Sequence, residues 1–290
     1  MISASKPDLD VSVVILAKNE EANIEAAVRS VIGAVRHVFV VDSGSSDATT
    51  TIARQSGATV VEHEWPGFAA QRNWSLDHLP IDTEWIFFLD ADERATPEFL
   101  DELSSAVRAA SLSVAGFSIR RVLLWYGARV AHGGFESATI TRILRRGKGR
   151  LDDRAVNEHV VLDGEEVQLR SPVLHESESG LGRWVRKHVD YARMESDALL
   201  HELLDREVAA GDEGHERRLR KRRLYAALPP FARAVAWFGY RMLAQRGYRD
   251  GIRGGTYHLL QGLAFPLLID GYFIAHAVRR VSRHKPANDG

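Results

Sequence analysis

The chain contains no cysteine, which excludes a disulfide scaffold, thiolate metal sites and a cysteine nucleophile. Excess charge is also missing. The 38 Lys and Arg against 39 Asp and Glu leave a formal net charge of −1, which argues against a general nucleic-acid binder. Met1 to Asp10 is polar, and the first apolar run, Val11 to Ala17, is too short for a signal-peptide core. The chain therefore reads as cytosolic at its start. The twelve histidines form no HxxxH or HExxH pair, and His175, after Val173-Leu174, is the one kept as a site candidate. No internal repeat is visible. What is present is globular: 290 residues, 45% hydrophobic and 27% charged, enough for one large α/β domain and an appendage.

The first hundred residues alternate between strand and helix patterns. VSVVILA (Val11–Ala17) predicts a strand covered on both faces, and Glu20 to Ile32 a helix burying Ile24, Ala27, Val28 and Val31. HVFVV (His37–Val41), Thr59–Glu62 and WIFFL (Trp85–Leu89) predict further strands. Helices are expected over Ala48–Ser56, Phe68–Leu79 and from Pro97 to about Ala109. Such alternation predicts a mostly parallel sheet flanked by helices, with ligands at the carboxyl ends of the strands. The polar groups Lys18-Asn19-Glu20, Asp42-Ser43 and Asp90-Ala91-Asp92-Glu93 each follow a strand directly. From about Gly116 the pattern turns to irregular strands: Gly116–Leu124, Thr139–Arg145, Val160–Leu162 and Val167–Ser171. Leu181 to Leu204 then reads as an amphipathic helix, 211–216 as a turn, and the remainder as basic, aromatic and apolar helices.

Asp90 and Asp92 leave an apolar strand two residues apart, and hard carboxylate oxygens suit Mg²⁺ or Mn²⁺, which can bridge a diphosphate. The competing reading makes them helix-capping acids before Pro97. Asp42 suits a base or ribose, because Ser45, Ser46 and Asp47 are better placed to cap the next helix. Glu20, or the edge from Ala17 to Asn19, completes a base pocket, with Asn19 as an N-cap the alternative. Arg72 reads from spacing alone as part of a solvated helix face. Arg142-Ile143-Leu144-Arg145 is expected to put both arginines on one strand face, to grip an anion. Glu158 is the candidate general base, with Asp153 and Glu176 as rivals.

Four motifs in order, Val11–Glu21 (VSVVILAKNEE), Val40–Thr49 (VVDSGSSDAT), Gly67–Asn73 (GFAAQRN) and Phe88–Arg94 (FLDADER), resemble family 2 glycosyltransferases, which have the GT-A fold. A second layer resembles the lipopolysaccharide-core β-glucosyltransferase subgroup: His132-Gly133-Gly134-Phe135, RILRRGKG (Arg142–Gly149), RAVNEHV (Arg154–Val160) and Leu174-His175-Glu176-Ser177. The resemblance implies a nucleotide-sugar donor (a UDP-sugar by default), an inverting reaction and Mn²⁺ or Mg²⁺. It puts Asp42 at the base, with Ser43 beside it. Asp90 falls at the ribose or diphosphate, Asp92 on the metal, Arg72 near the donor phosphates and Glu158 at the base position. Asn157 stands where the subgroup has His, and Glu136-Ser137-Ala138 replaces an aromatic, Pro and acid, both on the acceptor side. The implied division is a GT-A domain over 1–180, with a nucleotide-sugar half at about 10–115 and an acceptor half at about 116–180. A helical extension follows over 181–290.

That extension predicts contact with an anionic membrane surface, peripheral and on the cytoplasmic face. Arg217 to Arg223 has six basic residues in seven. Phe231, Trp237, Phe238 and Tyr240 alternate with Arg233, Arg241 and Arg246, a mix suited to a headgroup interface. Residues 256–278 are apolar but carry His258, Gln261, Asp270 and His276, so they read as interfacial or packed. The expected acceptor is a lipopolysaccharide core or another lipid-linked glycan; an exopolysaccharide or undecaprenyl-linked acceptor is the near rival. A sugar-phosphate nucleotidyltransferase would want a glycine-rich basic loop after the first strand, and Lys18-Asn19-Glu20-Glu21 is not one. A non-catalytic membrane scaffold would leave the acidic strand ends without a role.

Overall fold

A computed structural model describes residues 9–135, 139–152, 159–176, 180–204 and 229–283. The described residues of Met1–Gly127 and Glu136–Ser179 form one compact unit, and those of Ala128–Phe135 and Gly180–Gly290 a second. The passage of 128–135 into the second unit departs from a single division at residue 180.

In the first unit, the apolar run Val11–Ala17 lies within β1 (Leu9–Ala17), whose side chains alternate between two cores. Val11, Val13 and Ile15 enter one, with Trp85, Phe87, Phe99 and Leu103. Val14 enters the other, with Phe39, Val41, Ile86 and Phe88. Burial on both faces is why the run is continuous rather than alternating. β2 (Val35–Asp42) and β4 (Trp85–Asp90) flank β1 in parallel, and β3 (Thr59–Glu62) extends β2. Helices α1 (Ile24–Arg29), α2 (Thr49–Gln55), α3 (Phe68–His78) and α4 (Pro97–Ala109) make the connections. The Thr96 hydroxyl caps α4 by accepting from the Phe99 N–H at 3.1 Å. α1 is shorter than the predicted helix, because turns occupy both flanks.

The other half of this sheet is mixed rather than mostly parallel. β5 (Glu93–Ala95), β6 (Val114–Trp125), β8 (Thr139–Arg145) and β11 (Glu165–His175) complete the order β3-β2-β1-β4-β8-β6-β11-β5. β8 runs antiparallel to both β4 and β6, and β5 antiparallel to β11. Antiparallel neighbours need no crossover helix, which is why the helical pattern lapses here. β9 (Gly149–Asp152) and β10 (His159–Leu162) form a separate antiparallel pair. β5 is too short to announce itself by alternation, and it decides where the end of β11 lies.

The second unit contains the two-residue β7 (Ala128–Arg129), α5 (Gly180–Leu204) and helices at Ala232–Leu243, Gly251–Leu259 and Phe265–Arg283. His188 of α5 meets Phe265 edge-on at 5.1 Å, and Arg193 lies over Tyr272. Arg233 does not face a headgroup layer as expected. It is buried against Asp270, which also accepts from the Phe231 N–H at 2.7 Å. Arg241 likewise turns inward, its guanidinium 4.1 Å from the Phe135 ring centroid. The run Gly247–His276 is, by length and composition, long and apolar enough to cross a membrane. The 211–216 turn and Arg217–Arg223 lie outside the described residues.

Candidate nucleotide and phosphate site

Strand register builds the site. Ala17 pairs with Asp42, and Leu16 with Asp90, so the loops after β1, β2 and β4 emerge from one edge of the sheet. Asn19 is the joint between the first two. It adopts a left-handed conformation (φ 56°), its N–H donates to the Ser45 hydroxyl at 2.8 Å, and its side-chain oxygen accepts from the Ser46 N–H at 2.8 Å. Asn19 is therefore no N-cap; Asn23 holds that position before α1. Glu20 donates its N–H to the Thr49 hydroxyl at 2.8 Å and accepts from the Asn23 amide at 2.6 Å, which ties α1 to the start of α2. Asp42 is buried and accepts from the N–H groups of Gly44 (3.1 Å) and Ser45 (2.8 Å), organising the loop that carries it. Asp47 prepares α2, accepting from the Thr49 N–H at 3.0 Å.

The buried Gln71 is a site residue that spacing does not reveal. Its amide donates to the Ser43 hydroxyl at 3.3 Å, and its oxygen meets His63 Nδ1 at 2.6 Å, so α3 is locked against the end of β2. The only hint in the sequence is its place in the GFAAQRN motif. Arg72, beside it, is not on a solvated face: it is buried, and its Nη2 lies 2.7 Å from Asp90 Oδ1. Arg142 reaches Asp90 Oδ2 from the other side at 2.5 Å. Beneath them the fully buried Glu93 accepts from the Asp90 N–H at 3.0 Å and lies 3.5 Å from Arg121.

Arg145 does not share the face of Arg142. Three residues apart on a strand puts two side chains on opposite faces. Arg145 instead lies over the Trp85 ring at 4.6 Å and donates to the Ser111 carbonyl at 2.9 Å, within the other core. The structure thus separates the two arginines that were expected to act together.

Electrostatics follow from this packing. Burial works to raise the Asp90 pKa, but Arg142 and Arg72 outweigh it and hold the carboxylate below its ordinary range. Glu93 is pushed up, first by burial and then by the Asp90 charge. Burial disfavours protonated His175, yet the Asp92 carboxylate raises its pKa overall. The β5–β11 pairing sets that contact: His175 pairs with Glu93, and His175 Nδ1 comes within 3.4 Å of Asp92 Oδ1. Glu176, a rival for the base, accepts from the Gly127 N–H at 2.7 Å. Glu158 and Asp153 lie outside the described residues.

A cavity of about 840 Å³ opens beside Arg72, Asp90, Arg121 and Arg142, with Ser118 and Thr141 among its other walls. Three guanidiniums in one cavity suit a phosphorylated ligand. Among the described residues no three metal-donor side chains converge. Both Asp90 oxygens face arginines, Oδ1 toward Arg72 and Oδ2 toward Arg142. Asp92 remains as a partly exposed hard donor next to His175. One protein carboxylate, with phosphate and water completing the shell, is a usual arrangement for Mg²⁺, so the donor chemistry fits.

Carboxylates at the ends of three adjacent strands, with arginines around a cavity, define an α/β edge built to bind a ligand. Residues 12–153 match the model of Glycosyl transferase family 2. Its mixed sheet flanked by helices is GT-A-like. A relative is LpsC of Rhizobium meliloti (strain 1021), a lipopolysaccharide core biosynthesis glycosyltransferase, 28% identical over 66% of this chain and 72% of that one. An "Uncharacterized glycosyltransferase" of Rickettsia felis is 41% identical over 32% of each chain. The chain spans about a third of the length of that relative. Glucosyl-3-phosphoglycerate synthase from Mycobacterium tuberculosis, solved with Mg²⁺ and uridine diphosphate, aligns over 39% of this chain and 43% of its own. The identity there is 29% and the TM-score 0.33.

Proposed function

We propose that the protein is an inverting, divalent-metal-dependent glycosyltransferase. It moves a sugar, glucose by default, from a UDP-sugar to a lipopolysaccharide-core or other lipid-linked glycan. The observation that carries this reading is the register that brings Asp42 and Asp90-Ala91-Asp92 to one sheet edge, with Arg72 and Arg142 clamping Asp90. The likeness to LpsC over two thirds of the chain supports the choice of acceptor.

In this reading Asp42 and its loop hold the base, while Arg72, Arg121 and Arg142 face the diphosphate. Asp92 holds the metal, which when bound offsets charge on the leaving diphosphate. Glu158 takes the proton of the acceptor hydroxyl as that oxygen bonds to the anomeric carbon. The bond from that carbon to the diphosphate breaks on the opposite face, so configuration inverts. Arginines already held in place by Asp90 and Glu93 stabilise the departing charge without reorganising.

A calorimetric titration of UDP, with GDP and CDP as controls, tests the donor half on wild type and Asp92→Asn, with and without Mn²⁺. Metal-dependent binding of one nucleotide, lost in Asp92→Asn, is expected. No binding of any nucleotide in any metal condition overturns the reading. Glu158→Gln is expected to abolish transfer and keep nucleotide binding; near-normal transfer removes it as the base.

A further inference from the structure

Charge in the carboxy-terminal segment of the second unit is sorted between inside and outside. Residues 229–283 contain eight arginines and only two acidic residues, Asp250 and Asp270. Both carboxylates are turned inward. Asp250 accepts from the N–H groups of Ala131 and His132, at 3.2 and 3.1 Å, and lies 2.6 Å from His132 Nδ1 and 2.8 Å from His258 Nε2. Asp270 is enclosed with Arg233. Arg246, Arg249 and Arg253, by contrast, are all exposed. The outer surface of 229–269 therefore carries cations and no carboxylate.

Its apolar residues are sorted the opposite way from those of a solvated helix. Ala232–Leu243 buries Arg233 and Ala234, while Ala236, Tyr240 and Leu243, at i, i+4 and i+7, stand in solvent, Leu243 76% exposed. On Gly251–Leu259 the outward row is Ile252, Thr256 and Leu259, with Ile252 89% exposed. Tyr248 is exposed on the turn between these helices. Apolar side chains interleaved with arginine, and free of exposed acids, match the charge and polarity of an anionic lipid headgroup layer.

We propose that this surface, from about 236 to 259, docks in the plane of an anionic phospholipid bilayer. Leu243, Tyr248, Ile252 and Leu259 enter the headgroup boundary, and Arg246, Arg249 and Arg253 meet lipid phosphates. The apolar run Gly247–His276 lies along the membrane rather than across it. Its inner face is bound by the Asp250–His132 and Asp270–Arg233 pairs to other segments of the same unit. A crossing helix would have to carry those polar pairs into hydrocarbon or leave their groups unsatisfied there. The inference goes beyond the transfer reaction and is read without any sugar donor, so its failure leaves the nucleotide titration untouched.

The full chain has no cysteine, so Ile252→Cys offers a single labelling position for an environment-sensitive fluorophore. Leu112→Cys, at an exposed leucine of the first unit, is the control. Vesicles containing phosphatidylglycerol are expected to bind the protein and shift the label at 252 to the blue, leaving the label at 112 unchanged. Pure phosphatidylcholine vesicles are expected to do neither. Arg246→Gln and Arg249→Gln each weaken binding by about fivefold, with unchanged thermal unfolding. Equal binding to neutral vesicles, an unshifted label at 252, or protein that stays in the membrane pellet after alkaline carbonate overturns in-plane docking.

Discussion

Each unit contains an aspartate gripped by arginine, and the two pairs serve opposite ends. Asp270 and Arg233 are closed off from solvent on every side, their side chains 0% and 1% exposed. Asp90, between Arg72 and Arg142, keeps 28% of its side chain open and lines a cavity. The closed pair ties helices together and keeps a carboxylate away from the surface. The open cluster holds three arginines, Arg72, Arg121 and Arg142, where an anion can reach them. The same chemical pairing is thus closed where solvent is shut out and accessible where a cavity reaches it.

Breaking the closed pair is expected to give the largest loss of stability. Arg233→Ala strands the Asp270 carboxylate in the interior and costs about 3–5 kcal/mol, measured by denaturant unfolding. The double change Arg233→Met with Asp270→Leu removes both charges and is expected to recover most of that loss. A full-sized loss in the double variant would mean that packing, not charge, sets the cost. The open cluster is expected to respond less in stability and more in binding. Asp90→Asn costs about 1–3 kcal/mol, because two buried guanidiniums lose their acceptor. It also weakens nucleotide binding in the calorimetric titration.

The smallest effect is expected at Glu102, a half-buried carboxylate with hydrogen bonds but no ligand role. It accepts from the N–H groups of Arg170 (2.8 Å) and Ser171 (2.6 Å), fastening α4 to β11. Burial works to raise its pKa, but the bonds from Ser171 and Arg170 outweigh it and hold it below the ordinary 4.5. A lowered folded pKa means that the stabilisation is complete above the ordinary value and fades as pH falls through the folded one. Glu102→Gln is expected to cost about 1 kcal/mol at neutral pH and to shrink the acid-side loss of stability, read from unfolding curves between pH 3 and 7, on the order of the titration range of a carboxylate.

The parallel half of the sheet was legible because each of its strands carries its own local mark. A β-branched run buried on both faces ends in polar residues, so Val11–Ala17, His37–Val41 and Trp85–Leu89 could be placed and their carboxyl ends identified. The strand-end groups Asn19-Glu20, Asp42-Ser43 and Asp90-Ala91-Asp92 follow from that placement alone. Gln71 and Arg72 escaped spacing arguments, because α3 buries polar side chains where an amphipathic pattern would put apolar ones. The arginines of β8 show the limit differently: an odd separation on a strand sends Arg142 to the cavity and Arg145 to Trp85.

By itself, the sequence determined the elements of the first half and the strand edge at which their polar groups gather. Tertiary structure decided the partners: Arg72 and Arg142 on Asp90, His175 beside Asp92 through β5, and Arg233 on Asp270. It also sent 128–135 into the second unit, where His132 meets Asp250. Periodicity is a property of one element and tells which face a side chain occupies. The partner of a buried charge depends on the register and topology of another element, which no local pattern encodes.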